Sequence, residues 1–123
     1  MVVKTQLRRE HGYGAAVELL SRPDRPTAVF TANDMQALGV YQAARELGLR
    51  IPHDLSVVGH DDVPVVASVD PPLTTVHQPL AETAMAATEP ALALGRGEPV
   101  PQRGLEIAAT LTVRESTAPP KEE

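Results

Sequence analysis

The chain has 123 residues, a net charge of −5, no cysteine, and only two tyrosines and one phenylalanine as aromatic residues. This length suits one domain, and no apolar stretch reaches the roughly 18 residues that suggest a membrane span. Without cysteine the chain has neither disulfides nor thiolate metal sites. The basic residues are scattered and form no stripe for nucleic-acid phosphates. The first residues lack a signal-peptide apolar region, so a cytoplasmic location is expected.

Helix-like and strand-like segments alternate along the first half of the chain. Residues 10–21 have the apolar spacing of an amphipathic helix. Residues 27–32 form a short apolar run, which predicts a strand buried on both faces. Residues 34–47 repeat apolar side chains along one helical face, and Gly48 follows at the position where helices commonly end.

The second half continues the alternation. Residues 55–59 predict another buried strand, 60–72 a loop or short irregular helix, and 73–76 a third strand. A helix beginning near Pro79 and a last strand over 109–114 follow. Buried strands that alternate with helices predict an α/β fold built on a parallel sheet.

Polar residues directly follow each of the three predicted parallel strands. They are Asn33-Asp34, residues 60–62 and His77-Gln78. In open parallel sheets, ligands bind beyond the carboxyl ends of the strands. These three positions are therefore the candidate site.

Simpler roles are open for the same residues. Asn33 is a good helix N-cap, with Gln36 in a capping-box position. Asp61 and Asp62 suit a metal, acid/base chemistry or a turn. The four histidines are dispersed, and no nucleophile elbow, dinucleotide motif or phosphate loop occurs. We therefore expect no catalytic residues, no metal and no cofactor.

The motifs resemble the lactose-repressor (LacI/GalR) family of transcriptional regulators. The resemblance covers residues 26–117. Its blocks are PTAVFTAND (26–34), ELGLRIP (46–52), DLSVVGHDD (54–62), PPLTTVHQP (71–79) and VREST (113–117). Two residues depart from the family pattern. His60 stands where the family has Phe or Tyr, and Pro90 lies inside the last predicted helix, where a kink near 86–91 is expected.

The resemblance implies one Rossmann-like lobe of a truncated, periplasmic-binding-protein-like (type I) fold. Residues 10–78 and 107–117 are assigned to the C-terminal lobe. Residues 79–106 are expected to pack on an absent N-terminal lobe, which leaves an apolar stripe from Leu80 to Leu94 exposed. Residues 118–123 are expected to form a disordered tail.

The resemblance also implies a ligand site and a dimer. Asn33 and Asp61 are expected to bind a small-molecule effector, a sugar or related metabolite, and Gln78 is placed at the last crossover between the lobes. An amide and a carboxylate suit a sugar because a hydroxyl both donates and accepts. The residues expected in a homodimer interface are Met35, Leu38, Val65, Val66 and Val69.

Taken together, the sequence predicts the effector-sensing and dimerisation module of a LacI-type regulator. Operator DNA is expected to be bound only through an absent helix-turn-helix, so this chain alone should bind neither DNA nor effector tightly. The alternative is a sugar-binding protein of an ABC-type transporter with the same fold. A small hydrolase that uses Asp61 or Asp62 is a third hypothesis.

Overall fold

Helices and strands alternate along the chain, as the apolar pattern predicts. The structure, a computed structural model, describes residues 1–100 and 104–122. The elements are α1 (Arg9–Leu20), β1 (Ala28–Phe30), α2 (Asp34–Glu46), β2 (Ser56–Asp61), a 3-10 helix (Pro64–Ala67), β3 (Thr74–His77), α3 (Leu80–Gly95) and β4 (Thr110–Thr112). The predicted α/β fold is confirmed.

The four strands form one sheet in the order β1-β2-β3-β4. Strands β1, β2 and β3 are parallel, with Phe30 opposite Val58, Val58 opposite Thr74, and Asp61 opposite His77. Because neighbouring parallel strands run in the same direction, their carboxyl ends reach the same edge of the sheet.

The core lies between the two first helices and the sheet. Helix α1 packs on α2, and α2 packs on β2. Apolar side chains from these elements and from the flanking loops are fully or nearly fully buried there: Ala16, Leu20, Ala37, Val40, Tyr41, Ala43, Ala44, Leu55, Val57, Val66 and Leu73.

The prediction that the first strand is buried on both faces is wrong. Strand β1 lies at the edge of the sheet, and only Val29 packs against the core. Ala28 and Phe30 point to the other face and are exposed, with 67% of Phe30 accessible. The apolar sequence of this strand therefore reflects burial of one face only, the face that carries Val29.

The chain divides into two compact units, Met1–His77 with Leu111–Glu123, and Gln78–Thr110. Helix α3 belongs to the second unit, and none of its residues is buried. Leu80 and Leu94, at the two ends of the expected apolar stripe, are 63% and 65% accessible. The helix is continuous through Pro90, although proline has no N–H to donate within it.

Two glycines allow α1 and α2 to approach closely. A side chain at Gly39 would overlap the backbone of Arg9 and Tyr13, and one at Gly12 would overlap the backbone of Gln36. Glycine permits such a contact because it has no Cβ.

Replacing Gly39 by alanine should therefore destabilise the protein. Forcing a methyl group into this contact is expected to lower the free energy of unfolding by about 1–3 kcal/mol in chemical denaturation. Gly14 in α1 is the matched control, because a Cβ there meets nothing within 4 Å. Gly14→Ala should raise stability by about 0.5–1 kcal/mol through helix propensity. Equal stability of the two variants would contradict the close contact.

Candidate ligand-binding site

The predicted site residues of the first unit lie at the carboxyl ends of the parallel strands. Asp61 is the last residue of β2 and pairs with His77. The Thr31 N–H donates to the Val58 carbonyl at 2.9 Å, which extends the β1–β2 alignment beyond Phe30 towards Asn33. We call this part of the sheet, with Asn33, Asp61, Asp62 and His77, the carboxyl edge.

Asn33 caps α2, as its sequence position predicts. Its Oδ1 accepts from the Gln36 N–H at 2.9 Å, while Gln36 Oε1 accepts from Ala32 rather than from Asn33. The Asn33 Nδ2 group donates to the Leu7 carbonyl at 3.1 Å. A primary amide has two N–H donors and two lone pairs. The cap therefore leaves part of the hydrogen-bonding capacity of Asn33 for a ligand.

The segment before α1 also contributes to this region, which the sequence did not indicate. The Gln6 carbonyl accepts from Gln36 Nε2 at 2.9 Å, next to the bond between Leu7 and Asn33. The Leu7 side chain is 62% accessible. These contacts are made by backbone carbonyls. Because every residue has a backbone carbonyl, no pattern of residue types could have predicted the contacts.

Asp34 is a fully buried acid beneath the carboxyl edge. Its Oδ1 accepts from the Thr75 hydroxyl at 2.6 Å, and its Oδ2 accepts from the Val63 N–H at 2.9 Å. Gly59 leaves room for this carboxyl group, since a Cβ at Gly59 would overlap Asp34 Oδ1. Asp34 therefore joins α2 to β3 and to the loop after β2.

Asp61 and Asp62 form an unusual turn at the end of β2. Their φ angles are 123° and 62°, both in the region that favours glycine. Such conformations cost on the order of 1–3 kcal/mol and persist where surrounding contacts enforce them, often at ligand sites. The Asp61 side chain is 36% accessible and lies 3.3 Å from His60 Nδ1.

Asp62 is bound by two neighbours and is less accessible than Asp61. One carboxylate oxygen accepts from Arg114 and the other contacts His77 Nδ1, both at 2.8 Å, and the side chain is 15% accessible. Burial works to raise the pKa of Asp62, but the hydrogen bonds from Arg114 and His77 outweigh it and lower the pKa. Of the two carboxylates, that of Asp61 is the more accessible to solvent.

Gln78 belongs to the second unit, of which it is the first residue. Its backbone carbonyl accepts from the Leu80 N–H at 2.9 Å, at the start of α3. The side chain is half-buried. Its role as a ligand contact at a crossover remains a prediction.

The expected dimer residues differ in exposure. Met35 and Val65 are 41% and 50% accessible, whereas Leu38 and Val69 pack partly against the core. Val66 is fully buried, because the short 3-10 helix turns it inward and its carbonyl accepts from Leu73. Val66 is therefore a core residue, and its assignment to an accessible interface is corrected.

Residues 118–121, in the segment expected to be a disordered tail, contact the chain near the amino end of β2, opposite the carboxyl edge. Ser56 Oγ bonds both the N–H and the carbonyl of Ala118 at 3.0 Å, and Lys121 pairs with Asp54. A pocket of about 190 Å³ lies there, lined in part by Arg25 and His53.

The described residues were also compared with the requirements of a metal site and of a membrane-spanning helix. Among residues 1–100 and 104–122, no three acidic or histidine side chains converge as metal ligands would. Within the same part of the chain, no helix combines the length and apolar character needed to cross a bilayer.

Comparison with known proteins identifies the family. The periplasmic binding protein-like domain matches residues 2–117. The HTH-type transcriptional regulator MalR of Streptomyces coelicolor is 47% identical over 109 residues, which are 89% of this chain and 31% of MalR. The chain therefore spans about a third of the length of this curated relative.

Solved structures agree with this match. A LacI family transcriptional regulator from Enterococcus faecium with bound ribose has a TM-score of 0.83 at 31% identity, over 98% of this chain and 44% of the other. The lac repressor dimer bound to operator and the anti-inducer ONPF has a TM-score of 0.83 at 33% identity, over 92% and 39%. The chain belongs to the periplasmic binding protein-like domain family, and the solved structures that it resembles include LacI family transcriptional regulators.

Proposed function

We propose that this chain is the effector-sensing module of a LacI-type transcriptional regulator and that it binds a sugar at its carboxyl edge. The observation that carries the proposal is the placement of Asn33 and Asp61 at the same edge of a parallel sheet. Asp62 is held by Arg114 and His77, while Asp61 keeps the more accessible carboxylate.

The chemistry of the edge suits a polyhydroxylated ligand. A carboxylate accepts strong hydrogen bonds from hydroxyls, and an amide donates to the same groups. The Enterococcus faecium structure contains ribose, which supports a sugar as the ligand class here. We expect Asn33 and Asp61 to make these contacts.

The proposed response is a shift between conformational states. A ligand changes such an equilibrium only if it binds one state more tightly than the other. We assign DNA recognition to a part of the protein outside this chain. We place the regulator in the cytoplasm, and we propose no catalytic activity. MalR is a transcriptional regulator, which favours a regulator over a transporter-associated sugar-binding protein.

Calorimetric titration of the complete gene product tests this function. The ligands are D-ribose, D-glucose, maltose and sucrose, with adenine and guanine as a nucleobase arm. We expect saturable binding of a sugar and a helix-turn-helix encoded upstream. A nucleobase as the only ligand would contradict the sugar assignment, and a signal peptide upstream would favour the transporter alternative.

We further propose that the surface carrying Met35 and Val65 joins two copies of the chain. Both side chains are apolar and exposed, and the lac repressor structure is a dimer. In a symmetric dimer one substitution changes both copies. Met35→Asp or Val65→Asp should therefore weaken the dimer at least about tenfold in sedimentation equilibrium, because each would bury an unpaired charge in an apolar contact. Val2→Asp, at an 87% accessible position, is the control, and an equal effect there would argue against this surface.

A further inference from the structure

Asp62 binds both places where the first unit connects to the second. His77 is the last residue before the second unit begins at Gln78, and Arg114 follows shortly after the chain returns at Leu111. The two oxygens of one carboxylate contact His77 Nδ1 and the Arg114 guanidinium, each at 2.8 Å. The segment that leads into the second unit and the segment that follows it thus bind the same side chain.

Arg114 is itself fixed by further bonds to the third strand. Its guanidinium donates to the Leu73 carbonyl at 2.9 Å, and its backbone N–H donates to Thr74 Oγ1 at 2.9 Å. Hydrogen bonds between a guanidinium and a carboxylate are stronger than those between neutral groups. Asp62 therefore contacts a well-anchored partner on one side and the end of β3 on the other.

The same contacts explain the backbone at the end of β2. Asp61 and Asp62 both have positive φ angles, which are uncommon outside glycine and persist where surrounding contacts enforce them. Asp62 is held by its two partners, and the next residue, Val63, donates to Asp34. These contacts fix the two residues that directly follow Asp61 in the chain.

We propose that Asp62 is a positioning residue that fastens both connections of the second unit to the end of β2 and holds Asp61 in its positive-φ conformation. The link to effector binding rests on the proposed function of Asp61. The fastening of the two connections does not depend on it.

Amide hydrogen exchange of the 123-residue chain tests the proposal without any ligand. In Asp62→Asn, the amides of residues 77–78 and of 111–115 should exchange about tenfold faster or more, while those of α2 stay protected. Asp70→Asn is the matched control, because Asp70 is exposed in the following loop. Unchanged exchange, or faster exchange at only one connection, would overturn the proposal.

Two further measurements separate positioning from a general effect on folding. In Asp62→Gly the positive φ is unstrained, but the carboxylate is lost. The amides at both connections should therefore exchange as fast as in Asp62→Asn. Protection equal to that of the wild type would show a purely conformational role. If Asp62→Asn fails to fold, nitrogen NMR of His77 in the wild type decides. A carboxylate only accepts hydrogen bonds, so Nδ1 must carry the proton, and a neutral ring protonated at Nε2 overturns the contact.

The outcome also distinguishes this proposal from the proposed function. If no sugar binds but Asp62→Asn loosens both connections, the sugar assignment fails and the positioning role stands. If a sugar binds and exchange is unaffected, the positioning role fails alone.

Discussion

Asp34→Ala is expected to lower the free energy of unfolding by about 3 kcal/mol or more. Asp34 is fully buried, and its carboxyl group accepts from Thr75 and Val63. Alanine would leave both donors without this acceptor, and each buried unsatisfied donor costs about 1–3 kcal/mol. The loss also opens a cavity beneath the carboxyl edge, which adds to the cost.

Urea denaturation measures this effect. Thr75→Val removes one of the two donors and should cost less than Asp34→Ala. Asp70→Ala removes an exposed carboxyl group from the loop before β3, and surface changes of this kind usually stay within about 0.5 kcal/mol. If Asp34→Ala were as stable as Asp70→Ala, the role assigned to Asp34 would be wrong.

Asp61→Asn is expected to weaken binding of the effector about 10- to 150-fold. A hydrogen bond to a charged group contributes roughly 1.5–3 kcal/mol, and 1.4 kcal/mol corresponds to a factor of ten. Asparagine keeps the size of the side chain and tolerates a positive φ, so folding should be preserved. Calorimetry with the sugar that binds the wild-type gene product measures the change.

Asp61→Gly and Asp70→Asn complete this experiment. Glycine adopts the φ of 123° found at Asp61 without strain, so Asp61→Gly should be at least as stable as the wild type and still bind weakly. Asp70→Asn should bind as the wild type does. Full affinity in Asp61→Asn would show that the ligand does not contact this carboxylate.

The elements and their order could be predicted from the sequence, because apolar spacing reflects which faces are buried. The extent of burial could not. The run that contains Phe30 looks like a buried strand, but its position at the sheet edge leaves that residue exposed. Val66 shows the opposite case, since a one-turn helix has too few residues for a pattern, and the valine expected at an interface is buried in the core.

For the site, the position of the carboxyl edge could be predicted from the sequence. The different contacts of the two aspartates within it could not. Asp61 and Asp62 are equivalent in a sequence pattern, and the structure distinguishes them by the contacts of Asp62 with Arg114 and His77 and by their accessibility. Arg114 lies 52 residues from Asp62 in the chain, so no local spacing connects them.

The terminal motif likewise has a function that its pattern does not show. Ser116 is fully buried, donates to the Val57 carbonyl at 2.6 Å and accepts from the Thr74 N–H at 2.8 Å. It thus joins β3 to the second strand. His60 is a similar case. It stands where the family pattern has an aromatic residue, and in the structure it makes a polar contact with Asp61.

NMR mapping of D-ribose binding to this chain tests the central claim most directly, because chemical shifts detect weak, millimolar binding. The account predicts shifts concentrated at residues 31–34 and 59–62, at the carboxyl edge. It also predicts that Asp61→Asn removes them. Shifts confined to the opposite edge, around Ser56 and Ala118, or no shifts with any sugar that binds the complete gene product, would contradict it.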